Sequence, residues 1–509
     1  MGSRTRRAAL AASLVLLATI LPAGVSAGPG SPPVSPALCD ARPNDNFKKL
    51  LECVTVEGVR EHQAALQEIA NENGGTRVSG TAGYDESVDY AVDVLEARGY
   101  AVTVQEFAFV RFEVLSPSVL QQIAPPPAAD LPHIIMSYSG SGDVTAPVAS
   151  PNPVTGCFAA DWAGFPAGSI ALIQRGGSTA QVTCTFALKA LNAIAAGAVG
   201  VVVYNNAPGD LAGTLGNTFT GNLPVVGITQ ALGEQLRATA GLQLRIKTDV
   251  LRTPATSYNV LAETKGGNAN NVVMVGAHLD SVSAGPGIND NGSGTAAVLE
   301  TAEQMSRVNP RNKVRFALWG AEEASLVGST FYINNLSEEA HAQIALYLNF
   351  DMVGSPNHVF FIYDGDDSDA VGAGPGPAGS AEIEKTFERF FESQDTPYKG
   401  TDFTGRSDYG PFIATGIPSG GLFTGAEGIK TAGEAAIWGG TAGIAYDPCY
   451  HQACDTYDNN NNAALSMNAD AVAYATLQYA MSTSDVNGAK GKGNFKLPTT
   501  EDITGLSAK

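Results

Sequence analysis

Apolar and polar positions change their period several times along the 509 residues. A helical rhythm from about Val56 to Asn71, and again from about Gly83 to Arg98, predicts two amphipathic helices. Gly99 stops the second, and Tyr100 to Phe107 then reads as a strand. The Pro-rich run Ala124 to Ala129 marks a boundary. From about Pro132 to Thr253, short apolar runs are punctuated by Gly, Pro and Asn. Ile170 to Ile173 reads as a strand, Phe186 to Ala196 as an Ala-rich helix, and Val199 to Tyr204 as the next strand. This texture predicts a separate inserted module. From Ser257 onward, apolar runs alternate with helical stretches, which predicts an α/β domain: a mostly parallel sheet sandwiched by helices.

The two ends of the chain read differently from its middle. Arg4, Arg6 and Arg7 precede an apolar run from Ala8 to Leu21, and Val25-Ser26-Ala27 offers a small-residue cleavage site, the pattern of an export signal. Pro22 and Gly24 interrupt the run before it reaches the length of a membrane span, roughly 20 residues, so an anchor is disfavoured. After Ser482 the chain is polar and rich in Gly, Lys, Thr and Ser, as expected of a mobile tail or a removable segment. The expected division is a signal at 1–27, a first part of the main domain at 40–131, the insert at 132–253, the main domain at 254–482 and a tail at 483–509.

Six cysteines are consistent with export. Spacing alone allows many connectivities, but proximity favours Cys39–Cys53, Cys157–Cys184 and Cys449–Cys454 as disulfides. None of these pairs has the CxxC spacing of a zinc–thiolate site. Removal of the three signal arginines leaves 27 basic residues against 50 acidic, a net charge of −23. Such a chain repels phosphate backbones, so nucleic acid is excluded as a partner. With 44% hydrophobic and 16% charged residues, the chain is expected to fold as a globule.

Metal-type ligands fall just after predicted strands of the α/β part. The run Val272 to Gly276 leads to His278, and Asp290 lies in the Gly-rich loop Gly285 to Gly294. The strand Val314 to Trp319 leads to Glu322 and Glu323, and Ala345 to Phe350 leads to Asp351. Tyr450 and His451 sit between Cys449 and Cys454. Each alone has an ordinary structural explanation: a satisfied histidine, an acidic helix start, a helix cap. Together they crowd carboxylates at the sheet edge where open α/β sheets bind ligands, and these would repel unless cations neutralised them. His and carboxylate ligands without thiolates suit zinc. His278, Asp290, Glu323, Asp351 and His451 are too many for one catalytic zinc, which usually takes about three protein ligands. They suit two ions sharing one carboxylate, with Glu322 left for acid–base work and Asp280 placed to orient the His278 ring.

The segments around His278-Leu279-Asp280, Gly285 to Gly294, Trp319 to Glu323, Asn349 to Met352 and Tyr446 to Cys454 closely resemble the secreted co-catalytic zinc aminopeptidases of the bacterial leucyl aminopeptidase family. The resemblance spans about Ser257 to Ala480, with a weaker likeness in the helices before Phe107. It implies a zinc-exopeptidase-like (phosphorylase/hydrolase-like) core. The insert, through Ile170 to Gly176 and Cys184 to Asn206, resembles a protease-associated (PA) domain, mainly β and non-catalytic in relatives.

Carried over by motif, Asp290 would bridge two zinc ions, one also taking His278 and Asp351, the other Glu323 and His451. Glu322 would be the general base and Tyr450 the oxyanion donor. Arg406 would lie close to substrate, and Met352, Phe423 and the Cys449–Cys454 bridge would wall an apolar pocket for leucine-like N-terminal side chains. Asn291 stands where relatives often carry Asp. It also begins an Asn-Gly-Ser acceptor triplet, which a buried metal loop could not glycosylate. Calcium is known in relatives, but its ligands cannot be transferred to this chain.

The implied activity is release of hydrophobic residues from peptide and protein N-termini by a secreted monomer without membrane attachment. Hydroxide bridging the zinc ions would attack the peptide carbonyl, with Glu322 as base. The competing readings are a non-catalytic PA-bearing ectodomain and a carboxypeptidase, which would need a cation for the terminal carboxylate. Neither a GxSxG nor an HExxH motif occurs.

Overall fold

The computed structural model describes residues 34–179, 181–372 and 374–489. The signal and its cleavage site, and the tail from residue 490, lie outside the described residues. Helices α1 (Val56–Glu72) and α2 (Ala82–Ala97) form where the periodicity predicts them. Thr55 caps α1 by accepting from the Gly58 amide, and Gly99, at φ +81°, turns the chain out of α2.

The strand that follows, β1 (Ala101–Ala124), is 24 residues long and far outruns the predicted segment. The insert then contributes β2 (Gly142–Ala149), β3 (Ile170–Gln174), α3 (Phe186–Ala195), β4 (Gly200–Tyr204), β5 (Val225–Ile228) and α4 (Gln230–Ala238). Strands β2 to β5 pair in parallel in sequence order. The sequence predicts one helix here, and the described residues of the insert form two α-helices. Helix α4 buries only Gly233 and Leu236, so its apolar stripe is too thin to stand out.

Strand β6 (Gln243–Glu263) pairs antiparallel with β1 along its whole length, from Ala124↔Gln243 to Ala101↔Glu263. This ribbon crosses the boundary expected at Thr253 and joins both modules into one sheet. The main domain adds β7 (Asn268–His278), α5 (Gly292–Met305), β8 (Asn312–Trp319), α6 (Val327–Asn334), β9 (Ile344–Phe350), β10 (Phe361–Tyr363), α7 (Ser380–Ser393), β11 (Lys399–Thr401), β12 (Ser419–Phe423) and α8 (Asn462–Met481). Sheet order is β11-β10-β12-β9-β7-β8-β6-β2-β3-β4-β5. The centre, β12-β9-β7-β8, is parallel, and the flanking β10–β12 and β8–β6 pairs are antiparallel.

Both faces of the central strands are covered. Val273, Val275 and Ala277 of β7 join the core formed with α1, α2, α5, α7 and α8, while Val272 and Met274 join the opposite core with Trp319, Tyr347 and Phe412. Alternate side chains point to opposite faces of a strand, so a strand buried on both sides reads as one continuous apolar run. Helix α8 is buried almost all round. Immediately after it, Thr483 accepts from Asn271 Nδ2 (2.8 Å) and Asn487 Nδ2 donates to Asn271 Oδ1 (2.8 Å). The start of the expected tail is therefore tied to the domain. All three expected disulfides are formed.

Candidate active site

The site is assembled at the carboxyl ends of β7, β8 and β9. His278 ends β7 and is 1% exposed. Asp290 lies in the loop leading to α5, whose N-terminus Asn291 caps by accepting from Gly294 N (2.9 Å). Asn291 is fully buried and also donates to Phe350 O (2.9 Å), which closes the acceptor triplet to a glycan. Glu322 and Glu323 follow β8 through Ala321, held at φ +54°. Asp351 follows β9, and His451, at φ +56°, sits in the tight loop closed by Cys449–Cys454.

Asp290 is the hub. Its Oδ1 lies 3.2 Å from His278 Nε2, and its Oδ2 lies 3.2 Å from His451 Nε2. Asp351 Oδ1 is 3.4 Å from the same His278 nitrogen, and Glu323 Oε2 is 3.1 Å from the His451 nitrogen. Two donor sets therefore share one carboxylate. Glu322 Oε2 is 4.0 Å from His278 Nε2, and donor atoms of His278, Asp290 and Glu323, and of His278, Glu322 and Asp351, fall within 4.8 Å of one another. Glu323 Oε1 and Asp351 Oδ1 are buried with no hydrogen-bond partner among the described residues. Orphaned buried carboxylate oxygens are costly, and a cation between the two sets would satisfy them. The donor set of imidazoles and carboxylates fits zinc.

Burial pushes the Glu322 carboxyl well above the usual range, and Glu323, Asp408 and Asp351 add to the rise while His278 opposes it. Glu323 is raised for the same first reason. Burial works against an imidazolium at His278, yet Asp351 and Glu322 hold its pKa well above normal. Asp290 is driven low against its own burial by hydrogen bonds from both imidazoles. Protons on the imidazoles and metal cations are alternative ways to neutralise these carboxylates, so metal binding is linked to proton release.

The site opens into a cavity of about 320 Å³. Met352, Phe361, Phe423 and Tyr446 form an apolar wall. Arg406 bridges the mouth: Nη1 meets Glu427 Oε1 at 2.6 Å, and Nη2 donates to the Tyr450 hydroxyl at 3.2 Å. Tyr450 stacks on His451 with centroids 3.9 Å apart. Burial first, then Asp290 and Glu323, keep its phenol protonated far above the usual range.

The model for peptidase family M28 matches residues 259–476, and the PA domain model matches 144–236. An aminopeptidase of Pseudomonas aeruginosa is 48% identical over 454 residues, covering 86% of this chain and 83% of the relative. The chain belongs to peptidase family M28. Leucine aminopeptidase 2 of Arthroderma otae is 46% identical over 411 residues, 80% of each chain. Among solved structures, a zinc aminopeptidase from Bacillus subtilis aligns with a TM-score of 0.54 at 26% identity, covering 83% of this chain and 94% of that one.

The sequence reading missed several residues that hold this M28 site together. Arg77 is fully buried and donates to the carbonyls of Leu279, Pro286 (2.9 Å) and Gly287 (2.7 Å), pinning the loop before Asp290. Asp455 accepts from the amides of Asn289 (2.8 Å) and Asp290 (3.0 Å). Ser407 donates to Asp351 Oδ2 at 2.6 Å and accepts from Asn349 Nδ2 at 2.8 Å. Only Ser407 carried a signal, as the neighbour of Arg406. Asp280 stands behind His278 as expected, but its carbonyl (3.2 Å) is nearer the ring Nδ1 than its carboxylate (3.5 Å), which also accepts from Glu322 N (3.1 Å). Asp364, Asp367 and Asp369 form a second acidic cluster. Asp364 accepts from the amides of Ser368 (3.0 Å) and Asp369 (3.1 Å).

Proposed function

We propose that this protein is a secreted two-zinc aminopeptidase that removes hydrophobic, leucine-like residues from peptide and protein N-termini. The observation that carries the reading is the sharing of Asp290 between two donor sets, His278 with Asp351 and His451 with Glu323, beside the free carboxyl of Glu322. Zinc, when bound there, supplies Lewis acidity for the carbonyl and acidifies the attacking water. Glu322, with its raised proton affinity, takes the water proton and returns it to the departing amine. Tyr450 accepts from Arg406, which leaves its own proton free to donate to the developing oxyanion.

The cavity supports the substrate class. Its apolar wall suits a leucine-like side chain, and the carboxylates of Asp290, Glu322, Glu323 and Asp351 that also line it suit a free ammonium. A carboxypeptidase would need a cation for the terminal carboxylate, whereas Arg406 is paired with Glu427 and the Tyr450 hydroxyl. Three disulfides support an oxidising, extracellular location. Among the described residues no helix is long and apolar enough to cross a membrane. The deciding assay is hydrolysis of leucine p-nitroanilide beside its N-acetylated analogue, before and after chelation. Cleavage of the free-amine substrate alone, lost with chelator and restored by zinc, is expected. Equal cleavage of the acetylated substrate would overturn the exopeptidase assignment.

A further inference from the structure

The loop that carries Glu322 and Glu323 adopts a backbone that ordinary residues resist. Ala321, Ser325 and Leu326 have φ of +54°, +79° and +58°, in a region costly for residues with a Cβ. Such a loop persists only where its surroundings over-determine it. From the main domain, Ser79 Oγ accepts from Ala321 N (2.7 Å), Asn259 Oδ1 from Gly320 N (3.1 Å) and Asp280 Oδ1 from Glu322 N (3.1 Å). All three anchors lie at or before Glu322. Beyond Glu323, Asn259 Nδ2 returns to donate to Gly328 O (2.9 Å), while the side-chain anchors at Ala324 and Ser325 come from the PA module. The Tyr138 hydroxyl donates to Ala324 O at 3.0 Å, and Ser325 Oγ donates to Thr214 Oγ1 at 3.0 Å.

Tyr138 is built to hold that bond. It is 1% exposed, belongs to the module's own core with Trp162 and Leu215, and packs on Phe112 with centroids 5.5 Å apart. Its ring is therefore fixed by the module while its hydroxyl reaches the peptidase loop one residue past Glu323. The Ala324 carbonyl is fixed in turn by neighbouring loop bonds, Ser325 N and Leu326 N both donating to Glu322 O at 2.8 Å.

We propose that Tyr138 is a positioning residue for the Glu322–Glu323 pair, so that the inserted module braces the catalytic loop directly. The proposal rests on the roles given to those two residues above. It differs from a role in substrate access, because Tyr138 touches the loop backbone and does not line the cavity.

The test is Tyr138→Phe in the full chain, which keeps the ring and removes only the hydroxyl. Two readouts are taken: steady-state kinetics on leucine p-nitroanilide, and amide hydrogen exchange of residues 320–328 in metal-free protein. Loss of one neutral hydrogen bond is expected to speed loop exchange about threefold to tenfold and to lower kcat by a similar factor. KM should stay within about twofold, the sign that ground-state binding is untouched. Exchange in α5 and β4 should not change. Thr214→Ala should act in the same direction, more weakly, and covers the case in which Tyr138→Phe does not fold. Unchanged loop exchange, or a rise in KM at constant kcat, would overturn the proposal. If the wild-type chain released no p-nitroaniline, the aminopeptidase reading would fail, while the exchange measurement would still decide whether Tyr138 braces the loop.

Discussion

In the proposed two-zinc site, replacing Ser407 with alanine should loosen one ion and spare the other. The Ser407 hydroxyl donates to Asp351 Oδ2 at 2.6 Å and is itself held by Asn349 Nδ2 at 2.8 Å. Behind these, Tyr347 OH donates to Asn349 Oδ1 and Trp319 Nε1 donates to Tyr347 OH, so a buried relay ends on a proposed ligand. A hydrogen bond to a carboxylate contributes about 1.5–3 kcal/mol, and each 1.4 kcal/mol, roughly, is tenfold in affinity. The expected loss is about tenfold to 100-fold at the ion held by His278 and Asp351, the range found when the outer partner of a metal ligand is removed. The ion held by Glu323 and His451 should change by less than about threefold, because Ser407 touches neither residue. Competition against a chromophoric chelator resolves the two steps, and excess zinc should restore most of kcat. The reasoning is refuted if both affinities stay within twofold of wild type. It is equally refuted if zinc binding is intact and kcat still collapses, since Ser407 would then act on substrate.

Glu322→Gln should lower kcat by about 10²- to 10⁴-fold, with zinc stoichiometry unchanged by metal analysis. A loss under tenfold in p-nitroaniline release would remove Glu322 from the role of base. Glu300 supplies a test remote from the site. Burial raises its carboxyl from 4.5 to about 7, although the Thr55 amide stabilises the charged form. A raised folded pKa contributes stability that is whole below about pH 4.5 and lost as pH rises through about 7, roughly 3 kcal/mol in all. Glu300→Gln should therefore flatten the pH dependence of the urea midpoint and stabilise the chain at pH 8. Parallel profiles for the two proteins would contradict this.

How far the site was legible depended on how local its causes are. His278 ends, and Glu322, Glu323 and Asp351 follow, strands that read as apolar runs, and their clustering follows from the sheet's geometry. The cysteine pairs, 14, 27 and 5 residues apart, were legible for the same reason. Arg77 was not, because its carbonyl partner at Leu279 lies 202 residues away and a buried arginine leaves no periodic trace. Asp455 reaches the Asp290 amide across 165 residues, and Tyr138 reaches Ala324 across 186.

The division between modules shows the same limit from the other side. Composition marks the insert correctly in texture, yet β1 and β6 carry one ribbon through both modules. Its two strands are mostly half-exposed, so their alternation is weak, and only pairing to each other gives them their length. The sequence by itself determined the elements and the kinds of ligand, because periodicity and side-chain chemistry are properties of neighbouring residues. Only the tertiary structure decided the distances at which Asp290 meets His278 and His451, which groups brace the loops, and that the insert touches the loop of Glu322 and Glu323, because those are matters of distance between residues far apart in the chain.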